Sequence, residues 1–308
     1  GYCVMTFNTE LWNGQAPGSG GYQIERSLRF NSSDSAYLSR TPASAGNRKT
    51  WTWAGWVKRG SLGSRQMIFG NLNSGGTLGF DIEFIADNTL DIYDYNSGYL
   101  ARRNTTQVFR DCSAWYHIVI TYDSTNATGA DRLRVYINGS RVTTFNNSTD
   151  PTLNADGEFN KAVETAIGRT GAYNLLHFSG YLADVYLIDG QALDPTSFGE
   201  FDTNGIWQPK AYSGSYGTNG FHLDFADNST AAALGTDTSG NSNDWTVNNI
   251  SVTAGATNDS LVDVPTNGTE TDTGVGGEVR GNYCTLNPLS PASNNAPVNG
   301  NLDQTVVG

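Results

Sequence analysis

The segment Trp115 to Asp123 reads Trp-Tyr-His-Ile-Val-Ile-Thr-Tyr-Asp, a run of β-branched and aromatic residues closed by a turn former, which is the composition of a strand core. Arg132 to Asn138 then alternates, with Leu133, Val135 and Ile137 on one face. Asn138-Gly139 follows at once, and these two residues tolerate the positive φ that a type I′ hairpin turn needs. Two strands therefore return on each other through a tight turn, and Arg141 to Phe145 is expected to complete a meander. That unit commits the middle of the chain to antiparallel β structure.

The rest of the chain repeats the theme. Thr50 to Arg59 places Trp51, Trp53 and Gly55 on one face and Thr52, Ala54 and Trp56 on the other. Aromatic residues on both faces predict a central strand covered twice, or one with a face that serves as a binding platform. Strands are expected at Gln66 to Gly70, Thr77 to Phe84 and Thr89 to Tyr95, and Thr106 to Arg110 leads into Trp115, a recurrence that suits a sandwich or jelly roll. Arg26 to Phe30 and Ala36 to Arg40 read as a hairpin around Asn31 to Asp34, with their basic residues towards solvent. Asp194-Pro195 predicts a single helical turn. Charged residues make up only 16% of the 308, and Gly, Ser, Thr and Asn fill their place, as tight turns require. The expected class is all-β.

The formal net charge of −12 argues against phosphate backbones and anionic membranes, because such binding needs clustered Lys and Arg. No nucleic acid partner is expected. No apolar stretch is long enough for a membrane helix, and no basic leader with an apolar core is visible. Three separated cysteines, Cys3, Cys112 and Cys284, do not make a disulfide framework and suit folding in a reducing cytoplasm. Sequons at Asn31, Asn104, Asn126, Asn138, Asn228 and Asn267 are what a Ser/Thr/Asn-rich composition produces by chance.

The order WYHIVITYD, RLRVYINGSRV, AIGR and FSGYLADVYLIDGQALD resembles the second half of the laminin G-like, concanavalin A-like lectin sandwich, over roughly residues 22 to 200. That resemblance implies a jelly-roll sandwich with a smaller, loop-rich β region after it. The domain reading is an arm or linker at 1–21, a sandwich at 22–200, a crossover at 201–219 and a loop-rich β region at 220–308, which wraps on the sandwich or opens a further β-domain. The longer combination of SLRFNSSDSAYLSRTPASAGNRKTWTWAGWVKRG, FGEFDTNGIWQPKAYSGSYGTNGFHLDF and GTDTSGNSNDWTVNNISV is similar to structural proteins of marine bacteriophages. It implies a virion component, a capsid decoration or a fibre, made in the host cytoplasm, partnered by other virion proteins and by copies of itself, and touching host-surface polysaccharide. The alternatives are a free carbohydrate-binding module and a glycoside hydrolase.

A carbohydrate site needs aromatic faces beside polar side chains, and Tyr93, Tyr95, Tyr99, Arg102, Arg103 and Asn104 form such a cluster, which ordinary edge packing or a subunit contact would also explain. Hydrolysis would need a carboxylate pair. The Glu-x-Asp-x-x-Glu pattern of laminarinase-like members is absent, which leaves Asp81, Glu83, Asp91 and Asp94 as the best acids and no catalytic residue assigned. Calcium takes oxygens from turns. The candidate ligands are Asp237, Ser239, Asn241, Asn243 and Asp244, with Asp123, Asn126 and Asp131 as a weaker set, against an Asx turn with no metal. The three histidines, His117, His177 and His222, are far apart in sequence and lack any zinc spacing.

Overall fold

The computed structural model describes residues 21–267, 279–286, 288, 297 and 299–302; the arm at 1–21 lies outside them apart from Gly21. Two antiparallel eight-stranded sheets stack as a sandwich. The front sheet runs, edge to edge, through Ser140–Arg141, Leu133–Ile137, Tyr116–Asp123, Thr50–Arg59, Gly180–Asp189, Ser27–Phe30 and Ser260–Leu261, and Phe221–Leu223 also pairs with Gly180–Asp189. The back sheet runs through Phe145–Thr149, Tyr99–Val108, Thr89–Asn96, Leu78–Phe84, Gln66–Gly70, Thr165–Ile167, Tyr37–Arg40 and Thr246–Asn248.

Thr50–Arg59 is central and covered on both faces, as its pattern requires. Trp51 and Trp53 enter the inter-sheet core. There Trp51 stacks on Tyr122 at 5.3 Å and meets Phe80 and Phe159 edge-on at 4.9 and 4.8 Å. Ala54 and Trp56 point the other way, into two smaller apolar clusters that include Phe198 and Trp207. Asn138 and Gly139 have φ of 48° and 76°, the left-handed pair of the expected turn.

Three local expectations change. Arg141 to Phe145 is not the third meander strand: Ser140–Arg141 takes that place, the pairing ends with the Val142 amide on the Val135 carbonyl, and the chain crosses over to join the back sheet as Phe145–Thr149. Ser27–Phe30 and Tyr37–Arg40 are not a hairpin but lie in opposite sheets, because each finds a better partner far away, Gly180–Asp189 and Thr165–Ile167 respectively. Arg29 does not face water either; it is 3% exposed and pairs with Asp259 at 2.9 Å beneath the C-terminal segment. The turn at Pro195–Ser197 forms with Asp194 at its N-cap position, where the Asp194 backbone carbonyl accepts from the Ser197 amide and its carboxylate accepts from Arg134 and Tyr136.

Residues 221–261 add strands to both sheets, and Phe225, Leu234, Trp245 and Ile250 enter the inter-sheet core itself. Over the outer face of the front sheet lie a short hairpin, Gly199–Phe201 with Trp207–Pro209, and the segment around Asp263. The latter is held by charge: Lys58, fully buried, donates to both oxygens of Asp263, to Asn282 and to the Tyr283 carbonyl. Removing one partner strands the other charge away from water, so Asp263→Ala should lower stability by about 3–5 kcal/mol. In urea titrations, the paired replacement Lys58→Met with Asp263→Leu should recover most of that loss; a single mutant as stable as the parent would contradict this role.

Candidate functional site

Within the back sheet, Leu78–Phe84 and Thr89–Asn96 form a hairpin in which Phe80, Ile82, Phe84, Leu90 and Ile92 face the core. Strand alternation then sends Asp81, Glu83, Asp91, Tyr93 and Tyr95 to the outer face. Tyr93 donates to Asp81 at 2.8 Å and accepts from Arg65 at 2.9 Å, and Arg65 also donates to Glu83 at 2.6 Å. Arg102 grips Asp91 with two nitrogens, and its guanidinium lies 4.4 Å from the Tyr99 ring centre. Tyr93, Tyr95 and Tyr99 pack mutually edge-on at 5.3 to 6.5 Å.

The structure thus brings Tyr93, Tyr95, Tyr99 and Arg102 onto one surface and separates the other two residues of the sequence-based cluster. Arg103, next along the strand, turns inward and is spent on Leu133, Thr149, Ser148 and Asp150. Asn104 is buried against Thr89 and the Leu90 carbonyl. Arg65 was not anticipated; it sits in a Gly/Ser loop, and only its position just before a strand could have drawn notice.

The four acids also divide. Asp94 lies opposite Phe80 and so faces inward, where it accepts from the Glu158 amide. Asp81, Glu83 and Asp91 stay on the outer face but are only 0 to 2% exposed, beneath tyrosine and arginine side chains. Burial pushes the Asp81 carboxyl well above the ordinary carboxylate range, with the charge of Glu83 adding to it. Burial likewise lifts Glu83 to about 7 against the pull of Arg65, and lifts Asp94 to about 7 against the hydrogen bond it accepts from the Glu158 amide. A glycosidase needs its two carboxyls open to a sugar, and this geometry seals them.

These raised values set a pH dependence. Glu83 and Asp94 hold protons more tightly folded than unfolded, so the folded state binds more protons between about pH 4 and 7 and loses stability as pH rises through that window. Urea midpoints should therefore be lower at pH 8 than at pH 5, with Asp94→Asn flattening the difference. An increase in stability over the same range would refute the assignment.

The loop proposed for calcium is a closed hydrogen-bonded knot. Asp237 accepts from the amides of His222, Ser239 and Asn243 and from the Ser239 hydroxyl. Asp244 accepts from the Asp237 amide, while the side-chain nitrogens of Asn241 and Asn243 tie the carbonyls of Gly217, Thr218 and Gly220. In the weaker set, Asp123 and Asn126 cap their own turns and Asp131 pairs with Arg141. Among the described residues no group of three or more His, Cys, Asp or Glu is placed to hold a metal ion. In the 237–244 loop both Asp237 oxygens and Asp244 Oδ1 are already engaged by protein donors. Calcium and EDTA should leave the unfolding midpoint unchanged, whereas Asp237→Ala should cost about 2–3 kcal/mol; a calcium-dependent shift would reopen the site.

Comparison with known proteins places these features. A family model described as the concanavalin A-like lectin/glucanases superfamily, of laminin G type, matches residues 30–197. No curated protein matches the chain. Among solved structures, a putative carbohydrate binding protein from Bacteroides ovatus is similar at 15% identity and a TM-score of 0.46, over 74% of this chain and 59% of its own. Mouse laminin alpha1 domains LG4-5 are similar at 12% identity and a TM-score of 0.40, over 64% and 47%. A native heptameric SAP-like pentraxin from Limulus polyphemus gives 17% and 0.39, over 56% and 79%.

Proposed function

The chain belongs to the concanavalin A-like lectin/glucanase superfamily, and from that premise we propose that it is a non-catalytic, glycan-binding sandwich that uses the outer face of its back sheet. The observation that carries this reading is the surface built from Tyr95, Tyr99, Arg65 and Arg102. Tyr99 is 46% exposed and held edge-on by its neighbours, so it offers a fixed ring on which the C–H face of a sugar can lie. Arg65, half-exposed, and Arg102 present further N–H groups to ring hydroxyls, while the acids behind them fix the guanidinium planes. Those acids are buried beneath the surface a ligand would touch, which supports binding without hydrolysis.

The domain is carried, in this proposal, on a virion as a capsid decoration or fibre that contacts host-surface polysaccharide, assembled with other virion proteins and with copies of itself. That placement rests on the resemblance, drawn from the sequence alone, of the segments beginning at Ser27, Phe198 and Gly235 to bacteriophage structural proteins. A domain with the same binding that is absent from particles would be a free carbohydrate-binding module, and antibody labelling of purified particles separates the two.

On a glycan array the full chain should bind a restricted set of saccharides, and Tyr99→Ala or Arg102→Ala should weaken that binding about tenfold or more while leaving the fold intact, as expected when a contact worth roughly 1.4 kcal/mol is removed. Undiminished binding by both folded variants would rule this surface out.

A further inference from the structure

A second site stands on the opposite side of the molecule. Between the 199–209 hairpin and the segment around Pro265 the outer face of the front sheet carries a groove of about 430 Å³, within the range of small-ligand sites. Its floor is made by Trp56, Trp115 and Trp207, and Phe201 and Ile206, 54% and 56% exposed, form one lip. Three amides, Asn138, Gln208 and Asn282, join Ala114, Gly205 and Pro265 in the lining, and among the described residues none that lines the groove is charged, in a chain whose net charge is −12. Among the described residues the side-chain nitrogens of Asn138 and Asn282 and the whole Gln208 amide make no protein hydrogen bond, whereas the Asn138 and Asn282 oxygens are held by the His117 amide and Lys58.

The wall is rigid before any ligand arrives. Trp207 donates its indole N–H to Nδ1 of His117 at 3.0 Å. Burial pushes His117 down to about 3, so the imidazole is neutral and its proton sits on the other nitrogen. Two glycines close on the same indole: a Cβ at Gly139 or Gly199 would come within 2.3 or 2.4 Å of it. Phe201 meets Trp207 edge-on at 4.9 Å. Pre-organisation of this kind lowers the ordering cost of binding.

We propose that this groove is a second ligand site, taking an uncharged saccharide. An aromatic floor accepts the C–H face of a sugar ring; amides that both donate and accept suit hydroxyls; and the lack of an ionic lining group among the described residues leaves anionic sugars without a counter-charge in the groove wall. Phe201, Ile206, Trp207, Gln208, Pro265 and Asn282 all lie outside residues 30–197, so the site is an addition to the family sandwich and separate from the tyrosine surface.

The test titrates the full chain with neutral gluco-, manno- and galacto-oligosaccharides and with their sulfated and uronate counterparts, read by tryptophan fluorescence and calorimetry. At least one neutral series should bind and perturb the fluorescence, with Phe201→Ala and Gln208→Ala each weakening it about tenfold or more. Gly139→Ala, which displaces the Trp207 ring, should abolish it. The proposal is overturned if no neutral sugar is bound by the folded chain, if the anionic forms are preferred, or if a Trp/Phe-rich peptide is bound where no sugar is. Loss through Tyr99→Ala with Phe201→Ala silent would move all binding to the tyrosine surface and so also reject the groove while sparing the first site.

Discussion

A strand that is apolar on both faces can meet water on neither, and Thr50–Arg59 imposes that condition on everything around it. Its Trp51 and Trp53 face demands the back sheet; its Ala54, Trp56 and Lys58 face demands a third layer. A two-layer sandwich would satisfy the first demand and leave the second exposed. The hairpin at 199–209 and the segment at 259–265 answer it, and the buried Lys58 fixes the latter's position more narrowly than apolar contact could, because an ammonium needs oxygens at defined places. The groove floored by Trp56 is what remains of that face where the covering stops short.

Most of this scaffold was legible. Strand cores such as Tyr116–Asp123 and the turn at Asn138-Gly139 declare themselves through β-branched runs and a φ requirement that few residues meet. What escaped was anything decided by a distant partner. Ser27–Phe30 and Tyr37–Arg40 carry the same local signal whether they pair with each other or bridge two sheets; Gly180–Asp189, more than a hundred residues away, decides it. Arg29 and Lys58 look like solvent-facing charges until Asp259 and Asp263 reach them.

The candidate surface shows the same division at finer scale. Aromatic and basic residues marked the Tyr93 to Asn104 stretch, and strand parity alone separates Arg102 from Arg103. The acids could not be interpreted without burial: Asp81, Glu83 and Asp91 have the composition of a catalytic cluster and the accessibility of a support. Their charge orients Arg65 and Arg102, so here the polar residues nearest to chemistry in type act through the side chains lying over them.

The closure of the front sheet also has a tempo. Ser27–Phe30 is hydrogen-bonded to Ser260–Leu261, and Lys58 and Asp263 are 205 positions apart. At ordinary translation rates roughly 10 to 40 s separate the synthesis of that lysine from the synthesis of its counter-charge. During that interval the most aromatic strand of the molecule waits on the ribosome with one face uncovered, so the nascent chain, more than the finished protein, is the form in which this fold is exposed to aggregation.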